Sequence, residues 1–504
     1  MDKTCFSVAA MFSDHMVLQR EKEIVIWGNG PEDKCVCVTL GEQTVETKVT
    51  GNQWRVTLSP LSAGGPYIMK CVCDNECITF SDVMVGEVWL AGGQSNMELE
   101  LQNCDNADDE LKNANYEGIR FYNVIKTGVI TDEVLKQQEA SKWRVCRTEQ
   151  VKDVSAVAYF CARKLHQELG VTIGVIDCYI GGTSATCWMD EDTLMSAPEA
   201  AGYVAAYDEL IGNKTDEQYE EEMKEYFRQW KEWDDGVQAE RKKNPDVTWE
   251  YLNEHVGICP WPQPAGRTSN FRPANPYHGM LERVIPYTLR GFWYYQGEED
   301  TYKASGYGVL MKLLISLWRR KFNDDSAPFI FNQLPMYIAK GEADDKQWAV
   351  LREQQALTAE NIPNTYMNVL IDCGEFDNIH PTDKQTVGDR MALLCLEHVY
   401  GIECNADAPI CIGVNKPDNN RIQITFACKE LEVRGDDIAL LEAAGADEVY
   451  YPVKACVRNR NTVEIECENA MNIKYVRYAW VNYGHVTLFG ENGLPAAPFR
   501  RKLI

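Results

Sequence analysis

Long apolar runs are missing from this chain of 504 residues, and no stretch approaches the roughly 18–20 residues needed to cross a bilayer. Basic residues are scarce as well. The 50 Lys and Arg stand against 76 Asp and Glu, a net charge of −26. So acidic a surface repels polyanions, which excludes nucleic acid as an expected partner. Cysteine is plentiful, at 19 copies, but no CxxC pair or Cys/His cluster has metal-ligand spacing, so no metal site is expected. An odd count in so long a chain is not a disulfide scaffold, and buried reduced thiols point to the cytoplasm. The start, MDKTCFSVAAMFSDHM, carries Asp2 and lacks the long apolar core of a signal peptide. A secreted form that has lost a leader stays open. Internal repeats and low-complexity linkers are absent too.

What is present reads as an ordinary globular protein, 45% hydrophobic and 25% charged, long enough for two to four domains. Residues 1–84 alternate in short runs such as EIVIW, CVCVTL and WRVTL between Gly- and Pro-containing turns, the pattern of a small antiparallel β-sandwich. Over 85–404 strands alternate with helices, which predicts an α/β domain with a doubly wound parallel sheet. Expected strands include Val171–Tyr179, Arg290–Gln296, Phe329–Leu334 and Met367–Asp372; Ser155–Leu169 is an expected helix with Ser155 as N-cap. Residues 205–270 interrupt this rhythm. Tyr219, Met223, Tyr226, Trp230 and Trp233 make one helical stripe there, followed by the Pro- and aromatic-rich CPWPQPAGR. This insertion packs on the main domain, walls a substrate cleft, or forms a subunit contact in a homo-oligomer. Residues 405–504 return to short strands, including Arg421–Phe426, Thr462–Cys467 and Lys474–Trp480, and predict a second β domain.

One stretch stands out, Gly86–Met97, GEVWLAGGQSNM. Its apolar run reads as a buried strand, and Gly92 and Gly93 permit a tight turn at the C-terminal end, where α/β sheets bind ligands. Ser95, just beyond, is either a helix cap or a nucleophile. A nucleophile needs a base, and only seven histidines exist. His15, His166, His255, His278, His398 and His485 fall in helices, in the insertion, or in regions without other chemistry. His380 differs. It follows the Met367–Asp372 strand through an acidic loop, CGEFDNIHP, and Pro381 keeps it out of the next helix, for which Thr382 and Gln385 have capping-box spacing. Asp377, three residues earlier, is spaced to fold back and accept from one imidazole nitrogen, leaving the other for the serine proton. Two more strand ends reach the same rim. Gly181-Gly182-Thr183 offers a backbone N–H without an intervening Cβ, and Gln296 offers a side-chain amide, so with the Ser95 N–H they make three donors for an oxyanion.

Together, GGQSNM, YIGGTSATCWM, WYYQGEED and DNIHPTDKQTVGDRMA resemble, in this order, the sequence blocks of the SGNH-type carbohydrate O-acetylesterases, most closely the sialate O-acetylesterase group. FSDHMVLQR, NPYHGMLERVIPY and GLPAAPFR are similar to stretches of the same group, so the resemblance spans nearly the whole chain, with 205–270 its least matched part. It implies an SGNH hydrolase domain and a serine esterase that uses no cofactor. It further implies Ser95 as nucleophile, His380 as base and acid, and Asp377 as the residue orienting His380. Ser95 N–H, Gly182 and Gln296 would form the oxyanion hole, with Gly181 an alternative to Gly182. Arg352, in WAVLREQQ, matches a family pattern and would either bind a sugar carboxylate or make a helix-surface salt bridge. Glu299-Asp300 departs from the small polar pair usual after the QGE block. The expected substrate is an acetylated sugar, sialic acid first, with acetylated xylan, xyloglucan or mannan the alternative. A non-catalytic glycan-binding protein is the reading from another class.

Overall fold

The computed structural model describes residues 5–244, 247–418, 420–466 and 472–503. Residues 1–4 of the start and Cys467, the last residue of one expected strand, lie outside the described residues. A single strand of 18 residues, Glu76–Gly93, forms the spine. Its first half pairs antiparallel with Gly64–Cys73 in the N-terminal region. Its second half lies parallel between Ile173–Tyr179 and Gly291–Tyr295 at the centre of the main sheet. The domain border expected at 84/85 therefore falls inside one strand. The change of pattern there is real, but its cause is burial. Up to Val83 the strand has one covered face, and from Val85 to Gly93 both faces are covered.

The N-terminal strands Ile24–Asn29, Cys35–Leu40 and Gln53–Leu58 occupy the expected positions, and their buried side chains are continuous with one face of the main sheet. The main sheet runs in the order Arg144–Arg147, Asn115–Asn123, Ile173–Tyr179, Glu76–Gly93, Gly291–Tyr295, Phe329–Asn332, Thr365–Asn368. All neighbours are parallel except the first pair. Alternation assigns the aromatic run of Gly291–Tyr295 to both faces. Phe292 and Tyr294 join the core on one side, while Trp293 and Tyr295 join that on the other, where Trp293 stacks on Trp89 at 5.0 Å. Burying a side chain such as Phe292 completely contributes about 1.5–3 kcal/mol.

The helix Ala156–Leu169 begins where Ser155 Oγ accepts from Ala158 N at 3.1 Å and ends at Gly170. It crosses Lys384–His398 closely, since a Cβ on Gly388 would lie 2.6 Å from that of Phe160. The capping box expected of Thr382 and Gln385 is not formed; Asp383 caps this helix by accepting from Thr386 N. The insertion contains a helix longer than its stripe, Asp216–Lys243, with Tyr219 and Tyr226 buried and Trp230 exposed. Small antiparallel sheets follow from Ile410 onward, and their core includes Met336, Val369 and Ile371 of the central region. Among the described residues no helix is long and apolar enough to cross a membrane.

Candidate active site

Register builds the rim. Gly93 stands level with Tyr179 on one side and Tyr295 on the other, so the residues after each form one edge at the strands' C-terminal ends. Gly93 has φ +134°, and a Cβ there would lie 2.1 Å from the Tyr295 carbonyl oxygen, so only glycine fits this turn. The turn is locked from beyond the sheet by Gln94, whose Oε1 accepts from Gln296 Nε2 at 3.1 Å and Gly297 N at 3.2 Å. Ser95 then opens the short helical turn Ser95–Glu98, in which Gln94 O accepts from Met97 N and Glu98 N. Its hydroxyl does not cap that turn. It lies 2.8 Å from His380 Nε2, a residue 285 positions later in the sequence.

His380 is held by its loop. Its N–H donates to Asn378 Oδ1 at 3.0 Å, and the preceding carbonyl, Ile379 O, accepts from Asn96 Nδ2 at 2.9 Å. Asn96, next to the serine, therefore ties the Ser95 turn to the His380 loop. It also bridges two buried ionisable groups, donating to Glu298 Oε1 at 2.6 Å and accepting from Lys384 Nζ at 2.6 Å. Burial lowers the Lys384 ammonium to about 8 and raises the Glu298 carboxyl. Burial, with repulsion from Lys384 added, pulls the His380 imidazole down to about 4. At neutral pH the imidazole is neutral, with Nε2 able to accept the Ser95 proton.

Asp377 does not join this pair. Its backbone is left-handed, with φ 57°, its N–H donates to Ile338 O at 3.0 Å, and its Oδ1 accepts from Lys340 N at 2.9 Å. Among the described residues no carboxylate is hydrogen bonded to the His380 ring, so the orienting role expected of Asp377 is not what this geometry gives. Gln296 is likewise elsewhere in use. It is fully buried, and its Nε2 faces Asp300 Oδ2 at 2.7 Å, Gln94 Oε1 at 3.1 Å and Thr183 O at 3.1 Å. With two protons and three acceptors already around it, this amide has none to give an oxyanion. Arg352 is a third correction. It is fully buried, bonded to the carbonyls of Pro335 and Val481, and lowered to about 9 by burial, so it is neither a cleft cation nor a surface salt bridge.

Of the two glycines, Gly181 is the one beside the serine, since a Cβ there would lie 3.2 Å from that of Ser95. Gly182, with φ +74°, turns to the other side, and a Cβ there would lie 2.2 Å from the Trp261 ring. The Gly181 N–H donates to the Glu98 carboxylate, which also binds Lys126. Sequence reasoning missed Gln94, Asn96, Glu98, Glu298 and Lys384, although all five lie inside the quoted motif blocks or directly beside them. Among the described residues no group of three or more His, Cys, Asp or Glu is placed to hold a metal ion.

Residues 247–397 match the model of the sialic acid-specific acetylesterase family of carbohydrate esterases. The match starts at residue 247, so the later part of the insertion is not outside the resemblance. The mouse sialate O-acetylesterase is 27% identical over 98% of this chain and 94% of its own length. The human enzyme is 25% identical over 98% and 92%. The crystal structure of a carbohydrate acetylesterase from Xanthomonas citri superposes with a TM-score of 0.78, at 25% identity, covering 98% of this chain and 99% of that one. The chain is a carboxylic ester hydrolase, and it resembles the sialate O-acetylesterase family of carbohydrate esterases across nearly its whole length.

Proposed function

We propose that the chain removes O-acetyl groups from sugars, acetylated sialic acid first, through an acetyl-serine intermediate. The observation that carries this reading is the 2.8 Å contact between Ser95 Oγ and a neutral His380 Nε2 on the sheet rim. Ser95 Oγ attacks the acetyl carbonyl while its proton passes to His380 Nε2. The C–O bond to the sugar breaks, and the sugar oxygen takes that proton from His380. Water, deprotonated in turn by His380, attacks the acetyl-serine carbonyl, and acetate leaves as Ser95 regains its proton. Ser95 N–H and Gly181 N–H bind the tetrahedral oxygen, and Glu98 yields the second of these donors by withdrawing onto Lys126.

Release of acetate from acetylated sialic acid, acetylated xylan, xyloglucan and mannan tests the substrate assignment. Preference for sialic acid supports it, and preference for a plant polysaccharide replaces it with that sugar. Ser95→Ala and His380→Ala are each expected to lower kcat by about 10⁴–10⁶, by analogy with measured triads. Near-wild-type turnover by Ser95→Ala would remove the mechanism, and glycan binding without hydrolysis of any acetyl ester would favour a binding protein.

A further inference from the structure

The insertion approaches the site from both sides. On one side, the ring of Trp261 lies against Gly182, and the neighbouring Gly181 touches Ser95. On the other, Lys340 Nζ binds Glu250 and Glu254 of the insertion helix Trp249–His255, while Lys340 N donates to Asp377 in the His380 loop. The segment bearing Trp261 is fastened to the long insertion helix, since Trp233 Nε1 donates to Gly257 O at 2.9 Å and Tyr226 Oη donates to Pro260 O at 3.1 Å. Phe271 meets the indole edge-on, with centroids 5.3 Å apart at 88°. Trp261 is thus fixed along one edge and still 50% exposed.

A half-exposed indole packed against Gly182, the residue next to the Gly181 that adjoins Ser95, needs an explanation, because its apolar face costs free energy until something covers it. We propose that Trp261 is a specificity-determining residue that stacks on the apolar C–H face of the substrate's pyranose ring and so places the acetyl group over Ser95. This inference rests on the proposed sugar esterase activity and names the surface that recognises the sugar. The complementarity is chemical. A pyranose has one face of C–H bonds for the ring and a rim of hydroxyls for polar groups, whereas a short alkyl acetate has nothing that reaches Trp261. Gly182 is part of the same construction, because any side chain there would push the indole away from the rim.

The test compares Trp261→Ala and Trp261→Phe on two probes, penta-acetylglucose as an acetylated pyranose and ethyl acetate as an ester without a sugar. Stacking predicts that Trp261→Ala loses roughly tenfold in kcat/KM on penta-acetylglucose, that Trp261→Phe keeps most of it, and that neither changes on ethyl acetate. Equal losses on both probes would overturn the proposal and make Trp261 a brace for the Gly182 turn. Unchanged turnover of penta-acetylglucose by Trp261→Ala would overturn it as well. Failure of the underlying reading looks different: wild type would cleave ethyl acetate and leave penta-acetylglucose intact.

Discussion

Asp377 offers the sharpest test of the site. A serine–histidine pair with an acid three residues before the histidine reads as a triad, and replacing the orienting Asp of a measured Ser-His-Asp triad lowers kcat by about 10⁴. Here the Asp377 carboxylate accepts from Lys340 N at 2.9 Å, in a part-exposed loop. Removing one such hydrogen bond costs about 0.5–1.5 kcal/mol. Even if all of that were lost from transition-state stabilisation, the rate would fall by no more than about tenfold, since about 1.4 kcal/mol is one decade. Asp377→Asn and Asp377→Ala are therefore expected to keep kcat/KM for an acetyl ester within roughly tenfold of wild type. The assay is steady-state acetate release, with thermal unfolding measured in parallel. A loss of 10³ or more in Asp377→Asn, without a fall in melting temperature, would refute the reasoning. It would mean that the carboxylate leaves Lys340 and reaches His380 during turnover.

Lys384→Met removes the cation that adds to burial in holding His380 at about 4. A histidine base must be neutral, so raising its pKa moves the acid limb of kcat/KM upward toward the ordinary 6.5, and an unmoved limb would exclude Lys384 as its cause. Asn96→Ala leaves the buried Lys384 and Glu298 without their shared partner and frees Ile379 O; thermal unfolding is expected to show a loss of about 1–3 kcal/mol or more. Arg352→Ala strands the carbonyls of Pro335 and Val481 and is expected to lower the melting temperature, while leaving the KM ratio between acetylated sialic acid and acetylated xylan unchanged. A rise in KM confined to acetylated sialic acid would restore Arg352 to the substrate.

The parts of this site legible in the sequence are those that backbone geometry dictates. A buried strand ending in Gly92-Gly93, and a histidine kept out of a helix by Pro381, each place a residue at a strand's C-terminal end whatever the side chains do. Side-chain destinations were less legible, because they depend on partners far away in the chain. Asp377 lies three residues from His380, yet its direction is set by Ile338 and Lys340. Gln296 follows its strand onto the rim as expected, but full burial among Asp300, Gln94 and Thr183 decides what its amide does. Arg352 sits in a helix whose pattern does not show that the turn at Val481 closes over it. The border expected at 84/85 falls within a strand for a related reason: one strand can pass from a half-exposed sheet to a fully covered one without any change in chain direction.

On the proposed mechanism the base is weak. His380, drawn down to about 4, is wholly available at neutral pH but gains little on protonation, and the nearby Lys384 opposes the imidazolium. With Asp377 bound to Lys340, the negative charge that balances the imidazolium has to arise in the reaction itself, as the oxyanion formed on the ester beside Ser95. In an enclosed site that pairing is strong, but only if the oxyanion obtains the Gly181 N–H that Glu98 now holds. Displacing Glu98 toward Lys126 costs free energy, which slows turnover of a bare acetyl ester without abolishing it. A sugar resting on Trp261 offsets more of it, because contacts remote from the reacting carbonyl supply binding energy that is used at the carbonyl. Glu98 at the donor and Trp261 at the rim are then two halves of one selection: an ester enters the hole in proportion to how well the rest of its molecule is held.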